Sequence, residues 1–454
     1  MSGSTHKLMQ LEDTSLKLLS ASLKKLAKGF DLPKAQTHYK LREMEPVLQK
    51  VAEKMQDNFP YFHPLFAGQM LKPPHPIAKA AYMLAMWINP NNHAIDGGRA
   101  SSKMEKKVVA DIAGMFGWKQ HLGHLTSGGT MANLEALWIA GSLHPGKKIL
   151  ASDQAHYTHQ RISNVLKLPF ETVKTDAYGI IDLDDLEAKL KTGEIGTVVC
   201  TMGTTGLGMV DPLSQILALR KKYDFRIHAD AAYGGYFTLL RNLEEATIQK
   251  YQALEHVDSL VIDPHKQGLQ PYGCGCILFC DPDVTRFYLH DSPYTYFTSD
   301  ELHLGEISLE CSRAGAAAVA LWATHELLPL EKDGQFAQDL CKSRDAALEL
   351  HKRIEASDFF FPIVSPETDI VTWSISGKKT SEINKRVEQL FEVCEENQLY
   401  LSLFKYPADK LSSPDLLFDS DHLLCLRSCL MKPEHLDWID EIWKKLVDSY
   451  KMLE

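Results

Sequence analysis

The 454-residue chain predicts an α/β fold: a mostly parallel sheet flanked by helices, a small α+β part after it and a helical segment before it. Three observations predict this. Short apolar runs recur at residues 148–152, 197–201, 225–229 and 260–262, each the length of a buried strand. Amphipathic stretches such as 183–191 and 213–223 lie between most of them, the alternation of a parallel sheet with helices on both faces. Beyond about Leu330 the texture changes to helix, strand over 370–375, helix over 381–396, two strands and a final helix. The expected organisation is a helical segment over 1–75, a large α/β domain over 76–330 and a small α+β domain over 331–454.

Taken in order, residues 8–30 are expected to form an amphipathic helix, with Leu16, Leu19, Leu23 and Leu26 at helical spacing and Gly29 as its stop. Its polar face carries Lys17, Lys24, Lys25 and Lys28, and packing against protein is expected rather than binding to a membrane surface. A second helix covers 44–55; the prolines from Pro60 to Pro76 then punctuate the chain before a helix over 77–87 and a polar loop over 89–93. A helix over 104–116 leads to a strand over 121–126, a small-residue turn at Ser127-Gly-Gly-Thr130 and a helix over 131–140.

Hydrophobic content of 44% and charged content of 24% are those of an ordinary globular protein. The net charge of −10, with no lysine or arginine block, argues against nucleic acid as a partner. No apolar run is long enough to span a bilayer, and the polar start Met1-Ser-Gly-Ser-Thr5 lacks a signal core. Nine cysteines, an odd number, point to reduced thiols and a cytoplasmic setting. Cys274, Cys276 and Cys280 alternate as in a strand and lack paired histidines, so no metal site is expected.

Chemistry concentrates at two strand ends. The run 259–262 is followed by Asp263-Pro-His265-Lys266-Gln-Gly268, and the run 225–229 by Asp230 and Ala231-Ala-Tyr-Gly-Gly235. The chain between Asp230 and Lys266 is long enough for a helix and a return strand, which would set a carboxylate and an amine at one crevice. Burial there is expected to lower the lysine pKa and make the amine a nucleophile towards carbonyls. Pyridoxal phosphate needs such a pair: a lysine for a Schiff base and an aspartate that keeps the pyridine nitrogen protonated. The Ser127-Gly-Gly-Thr130 turn exposes backbone N–H groups at a helix N-terminus and so favours an anion. It lacks the lysine of a P-loop and the spacing of a dinucleotide fingerprint.

With these motifs the chain resembles the group II pyridoxal-phosphate amino acid decarboxylases of fold type I, which include aromatic amino acid, glutamate and cysteine sulfinate decarboxylases. Ser152-Asp-Gln-Ala-His156 is similar to the family segment whose histidine stacks on the cofactor ring, and Thr201-Met-Gly-Thr-Thr205 to its strand-end threonine segment. The resemblance implies Lys266 as the Schiff-base lysine and Asp230 as the pyridine-nitrogen partner. It further implies phosphate contacts from Gly129, Thr130 and His265, with Thr205 and Ala232 beside the cofactor. A tyrosine on a loop after the lysine strand is implied to reprotonate Cα; Tyr294 is the first candidate and Tyr296 the second.

For the substrate, Phe66-Ala-Gly-Gln69 resembles a pocket glutamine segment and Leu309-Glu-Cys-Ser-Arg313 an arginine segment of glutamate-type members, with Asn91 at an asparagine position. His93 departs from the family's aromatic residue. These polar residues favour a polar or acidic substrate such as glutamate, aspartate or cysteine sulfinate, against an aromatic one of the tyrosine type. Arg427, on a C-terminal strand, leaves open a pyridoxal-phosphate transaminase or carbon–carbon lyase on the same fold. A homodimer with shared active sites is also implied.

Overall fold

The computed structural model describes residues 13–33, 40–289, 302–411 and 416–453. In chain order its helices and strands are α1 (Asp13–Ala27), α2 (Leu41–Met55), α3 (Pro76–Met86), α4 (Arg99–Met115), β1 (Leu122–Thr126), α5 (Gly129–Leu143), β2 (Lys148–Ser152), α6 (Thr158–Leu166), β3 (Phe170–Val173), α7 (Leu183–Leu190), β4 (Ile195–Thr201), α8 (Leu213–Leu219), β5 (Arg226–Asp230), α9 (Glu245–Gln252), β6 (Ser259–Ile262) and β7 (Gly275–Phe279). There follow α10 (Gly315–Leu327), α11 (Gln335–Glu355), β8 (Phe360–Pro362), β9 (Ile370–Ile375), α12 (Thr380–Glu396), β10 (Ser402–Pro407), β11 (His422–Cys429), α13 (Glu434–Asp437) and α14 (Ile439–Lys451).

A seven-stranded sheet in the order β1-β7-β6-β5-β4-β2-β3 carries the large part of the molecule. The strands from β6 through β3 run parallel, while β7 is antiparallel to both of its neighbours. β4 is buried at every position and β6 likewise, the near-continuous apolar run that a sheet covered on both faces requires. Val198, Ile227, Leu260 and Ile262 belong to one core with Val108 and Ile112 of α4. Each such side chain stabilises the fold by about 2 kcal/mol. The Gly315-Ala-Ala-Ala start of α10 lets that helix pack closely on α3 and α4.

The second sheet is antiparallel, β10-β11-β9-β8, and its core includes Trp373, Leu424 and Leu426 under α11, α12 and α14. The two sheets are tied by charged groups as well as by packing. Lys250 Nζ donates to Glu367 Oε1 at 2.6 Å, and the Tyr233 hydroxyl donates to Asp369.

Two strands lack any sequence signal. β3 has four residues at the sheet edge and β8 has three including Pro362; edge strands this short show neither alternation nor a full apolar run. The helix expected over 213–223 ends at Leu219, with residues 220–223 continuing as a turn held by Lys222 N–H to Leu219 O at 2.9 Å. Cys276 lies in β7 and all nine cysteines are free thiols. No described helix is long and apolar enough to cross a membrane.

Candidate active site

Parallel pairing aligns the carboxyl ends of β4, β5 and β6, with Thr201 opposite Asp230 and Asp230 opposite Val261. Ligands collect at this end of an α/β sheet. β5 delivers Asp230, while β6 ends in the turn that carries Asp263, His265 and Lys266. That turn is closed by Lys266 N–H to Asp263 O at 2.9 Å and His265 N–H to Cys274 O at 3.1 Å. The N-terminus of α5 faces them; Gly128 is its N-cap and no side chain caps it. Its first N–H groups are therefore open to an acceptor.

Between these elements lies a cavity of about 310 Å³. Lys266, Asp230, His156, Gly129, Thr130, Thr205, His265 and Ala232 all line it, so every cofactor position named from the sequence meets here. Met70, Asn133, Thr158, Thr201, Tyr233 and Asp263 complete much of the wall.

The electrostatics correct one expectation. Burial pulls the Lys266 ammonium down, but Asp263 and Asp230 more than offset this, and its pKa lies above the ordinary lysine value. Lys266 Nζ is 3.1 Å from Asp263 Oδ2. The amine is held as an ammonium by its counter-charges rather than released as a free base. Asp230 is held as a carboxylate. Burial raises its pKa, but the hydrogen bond from His159 and the nearby charge of Lys266 outweigh burial and leave it below the usual carboxylate range. Burial lowers the pKa of both His156 and His265. The Nδ1 of His156 accepts from the Thr158 N–H at 3.3 Å and is also joined to the Thr158 hydroxyl.

The residues fit pyridoxal phosphate. A Cβ on Gly129 would stand 2.7 Å from Asp263 Oδ2, and one on Gly128, whose φ is +156°, would stand 3.3 Å from His265 Cε1. Backbone alone can thus approach a ligand at this helix end. The Thr201 hydroxyl and His265 Nδ1 are buried without a hydrogen-bond partner among the described residues. The wall therefore offers an amine, an ionised carboxylate and open N–H donors, which match an aldehyde, a pyridinium and a phosphate.

The four substrate candidates are not gathered around this cavity. Gln69 is exposed beside Met70. Asn91 Oδ1 accepts the His93 and Arg313 backbone N–H groups, both at 3.0 Å, and so fastens a loop. The Arg313 guanidinium pairs with Glu105 and donates to Leu125 O at 2.6 Å. It lines a separate hollow of about 240 Å³ with Tyr82, Glu105, Tyr272 and Glu310, and Ser127 borders both spaces. Tyr294 and Tyr296 lie outside the described residues. Arg427 donates to Thr205 O at 2.6 Å, Gly68 O at 3.3 Å and Ser402 Oγ at 3.1 Å, bracing the chain next to the cavity.

The sequence reading missed two neighbours. Asp263, the counter-charge of Lys266, sits three residues before it; a tight turn brings such residues together, and that spacing was the available signal. His159, in the first turn of α6 and 2.8 Å from Asp230 Oδ2, carries no local signal.

The solved structure of mouse CSAD superposes with a TM-score of 0.78 over 94% of this chain and 91% of that one, at 19% identity. Oryza sativa TDC with PLP and tryptamine gives 0.77 over 98% and 99%, at 15% identity. At such identities the likeness concerns the fold. The L-tyrosine decarboxylase of Enterococcus faecium is 26% identical over 75% of this chain and 74% of its own length. The L-aspartate decarboxylase of Thermococcus kodakarensis is 28% identical over 76% and 87%. The model of the pyridoxal-dependent decarboxylase conserved domain matches residues 142–375, more than half of the chain, and that segment holds His156, Asp230 and Lys266. The chain therefore belongs to the pyridoxal-dependent decarboxylase family.

Proposed function

We propose that the chain converts an L-amino acid with a polar or acidic side chain to its amine and CO2, acting in the cytoplasm as a homodimer. The observation that carries this reading is the meeting of Lys266, Asp230 and His156 at one cavity, from three separate elements. Bound pyridoxal phosphate supplies a protonated ring that accepts the electron pair left at Cα when the carboxylate departs. Lys266 would hold the cofactor through its aldehyde and would be freed when the substrate amine takes its place. Asp230 would keep a proton on the ring nitrogen, His156 would face the ring, and Gly129, Thr130 and His265 would hold the phosphate. Thr205 and Ala232 would border the cofactor. Tyr294, or Tyr296 two positions on in the sequence, would return a proton to Cα.

Polar recognition is supported by relatives named as L-aspartate and L-aspartate/L-glutamate decarboxylases. One observation favours an aromatic substrate instead: the Arg313 charge is already met by Glu105, and the hollow there is flanked by Tyr82 and Tyr272. Relatives named for L-tyrosine fit that second reading. Dimerisation is supported by α2, where Leu41, Met44, Val47, Leu48, Val51 and Met55 are all exposed. The nine free thiols favour a reducing compartment.

CO2, amine and keto acid released from a panel of L-amino acids test the reading. Matched CO2 and amine, with glutamate, aspartate or cysteine sulfinate ahead of tyrosine, is the expected result. Tyrosine ahead would select the aromatic reading, and keto acid without CO2 would replace decarboxylation by transamination.

A further inference from the structure

The buried face of Asp230, the side away from the cavity, carries a contact that the cofactor roles above do not use. His159 Nε2 lies 2.8 Å from Asp230 Oδ2, and both side chains are almost fully buried, at 1% and 7% exposure. The other carboxylate oxygen, Oδ1, accepts the Ala232 N–H at 3.2 Å. Asp230 also lines the cavity, so its carboxylate is shared between a buried donor and the ligand space. His159 Nδ1 is buried with no hydrogen-bond partner among the described residues. A proton on that nitrogen would be stranded, which assigns the ring hydrogen to Nε2, where it is donated to Asp230.

The neighbouring His228 does not compete for this contact. It precedes Asp230 by two on the same strand, and both of its nitrogens are engaged, by Ser259 Oγ at 2.9 Å and Asn133 Oδ1 at 2.8 Å. Its ring centroid is 6.4 Å from that of His159. His156 and His159 therefore divide the work of one segment. The first borders the cavity, and the second reaches underneath it to the carboxylate.

We propose that His159 is a positioning residue which, by donating Nε2–H to Asp230, fixes the orientation of that carboxylate and lowers its proton affinity, so that the proton shared with the bound cofactor stays on the ring nitrogen. A hydrogen bond to the charged form of a carboxylate favours that form. An uncharged donor achieves this without adding a second positive charge beneath the pyridinium. This inference rests on the cavity binding pyridoxal phosphate.

The test compares the wild-type protein with His159→Leu, which lacks the donor, and His159→Gln, which can restore one. Pyridoxal phosphate labelled with 15N at the ring nitrogen reports protonation by NMR, and titration of the cofactor-free proteins reports affinity. The expected result is a ring-nitrogen signal in His159→Leu displaced towards the unprotonated form and cofactor binding weakened at least about tenfold, with His159→Gln recovering part of both. Unchanged shift and affinity in a folded His159→Leu would overturn the proposal. A measurement that needs no variant stands beside it: 1H–15N correlation spectra of the cofactor-free wild type should show the Nε2–H tautomer at His159, and an Nδ1–H tautomer there would overturn the proposal. Failure of wild-type protein to bind pyridoxal phosphate at all would overturn the cofactor reading and this inference with it.

Discussion

Lys266 Nζ stands 3.1 Å from Asp263 Oδ2, with the carboxylate more deeply buried than the amine it faces. The pair explains why burial does not make Lys266 a free base. A neighbouring anion stabilises the ammonium, and Asp230 adds to the effect.

Replacing that anion should expose the influence of burial. In Asp263→Asn the Lys266 pKa should fall, because the close charge that holds the ammonium is gone while burial remains. The pH dependence of pyridoxal phosphate addition to the cofactor-free protein measures it, because only the neutral amine attacks the aldehyde. The midpoint should move to lower pH, and an unmoved midpoint would show that Asp263 is not the controlling charge.

Two glycines in helices should answer alanine in opposite ways. A Cβ at Gly129 would press on Asp263 Oδ2 at 2.7 Å, so Gly129→Ala should weaken cofactor binding about tenfold by shifting the counter-charge of Lys266. A Cβ at Gly114 would meet nothing within 4 Å, and Gly114→Ala should stabilise α4 by about 0.5–1 kcal/mol. Cofactor titration and chemical denaturation of the two variants check the contrast.

The buried histidines set an acid limit on stability. Burial lowers His228 and His435 from 6.5 to about 3. Between pH 6.5 and about 3 the unfolded chain binds protons at these positions that the folded protein refuses, so stability falls as the pH falls through that window and is flat above it. Each histidine contributes a slope of about 1.4 kcal/mol per pH unit. His228→Gln should reduce the slope of unfolding free energy by roughly that amount. An identical slope would mean that His228 is charged in the fold.

The exposed apolar stripe of α2 should be a subunit contact. Val51→Glu places a charge in its middle, where Val47, Leu48 and Met55 also lie exposed. Sedimentation should show a dimer for the unaltered protein and a shift towards monomer for the variant; equal behaviour of the two would remove α2 from the interface.

How much of this was legible in the sequence depended on what each residue answers to. Lys266, Asp230 and His156 follow strand ends or a short turn, and strand-end chemistry survives in sequence because the strand itself is readable. Long-range partners do not. Arg313 and Glu105 are 208 residues apart and meet only because α4 and the segment before α10 pack together, so a charge read as available for substrate is already paired. His159 reaches Asp230 only through the placement of α6 against β5, which no local pattern encodes. The lysine pKa went the other way from expectation because burial was legible and the Asp263 contact, although only three residues away, depended on the turn. β3 and β8 escaped for want of length.

The most direct test of the central claim is chemical trapping of the cofactor. The protein loaded with pyridoxal phosphate is reduced with borohydride, digested and mapped by mass spectrometry. One pyridoxyl group on the peptide containing Lys266, absent from Lys266→Ala, is the predicted result. A dominant adduct on any other lysine, or equal labelling of the Lys266→Ala protein, would contradict the assignment of this cavity as the catalytic centre.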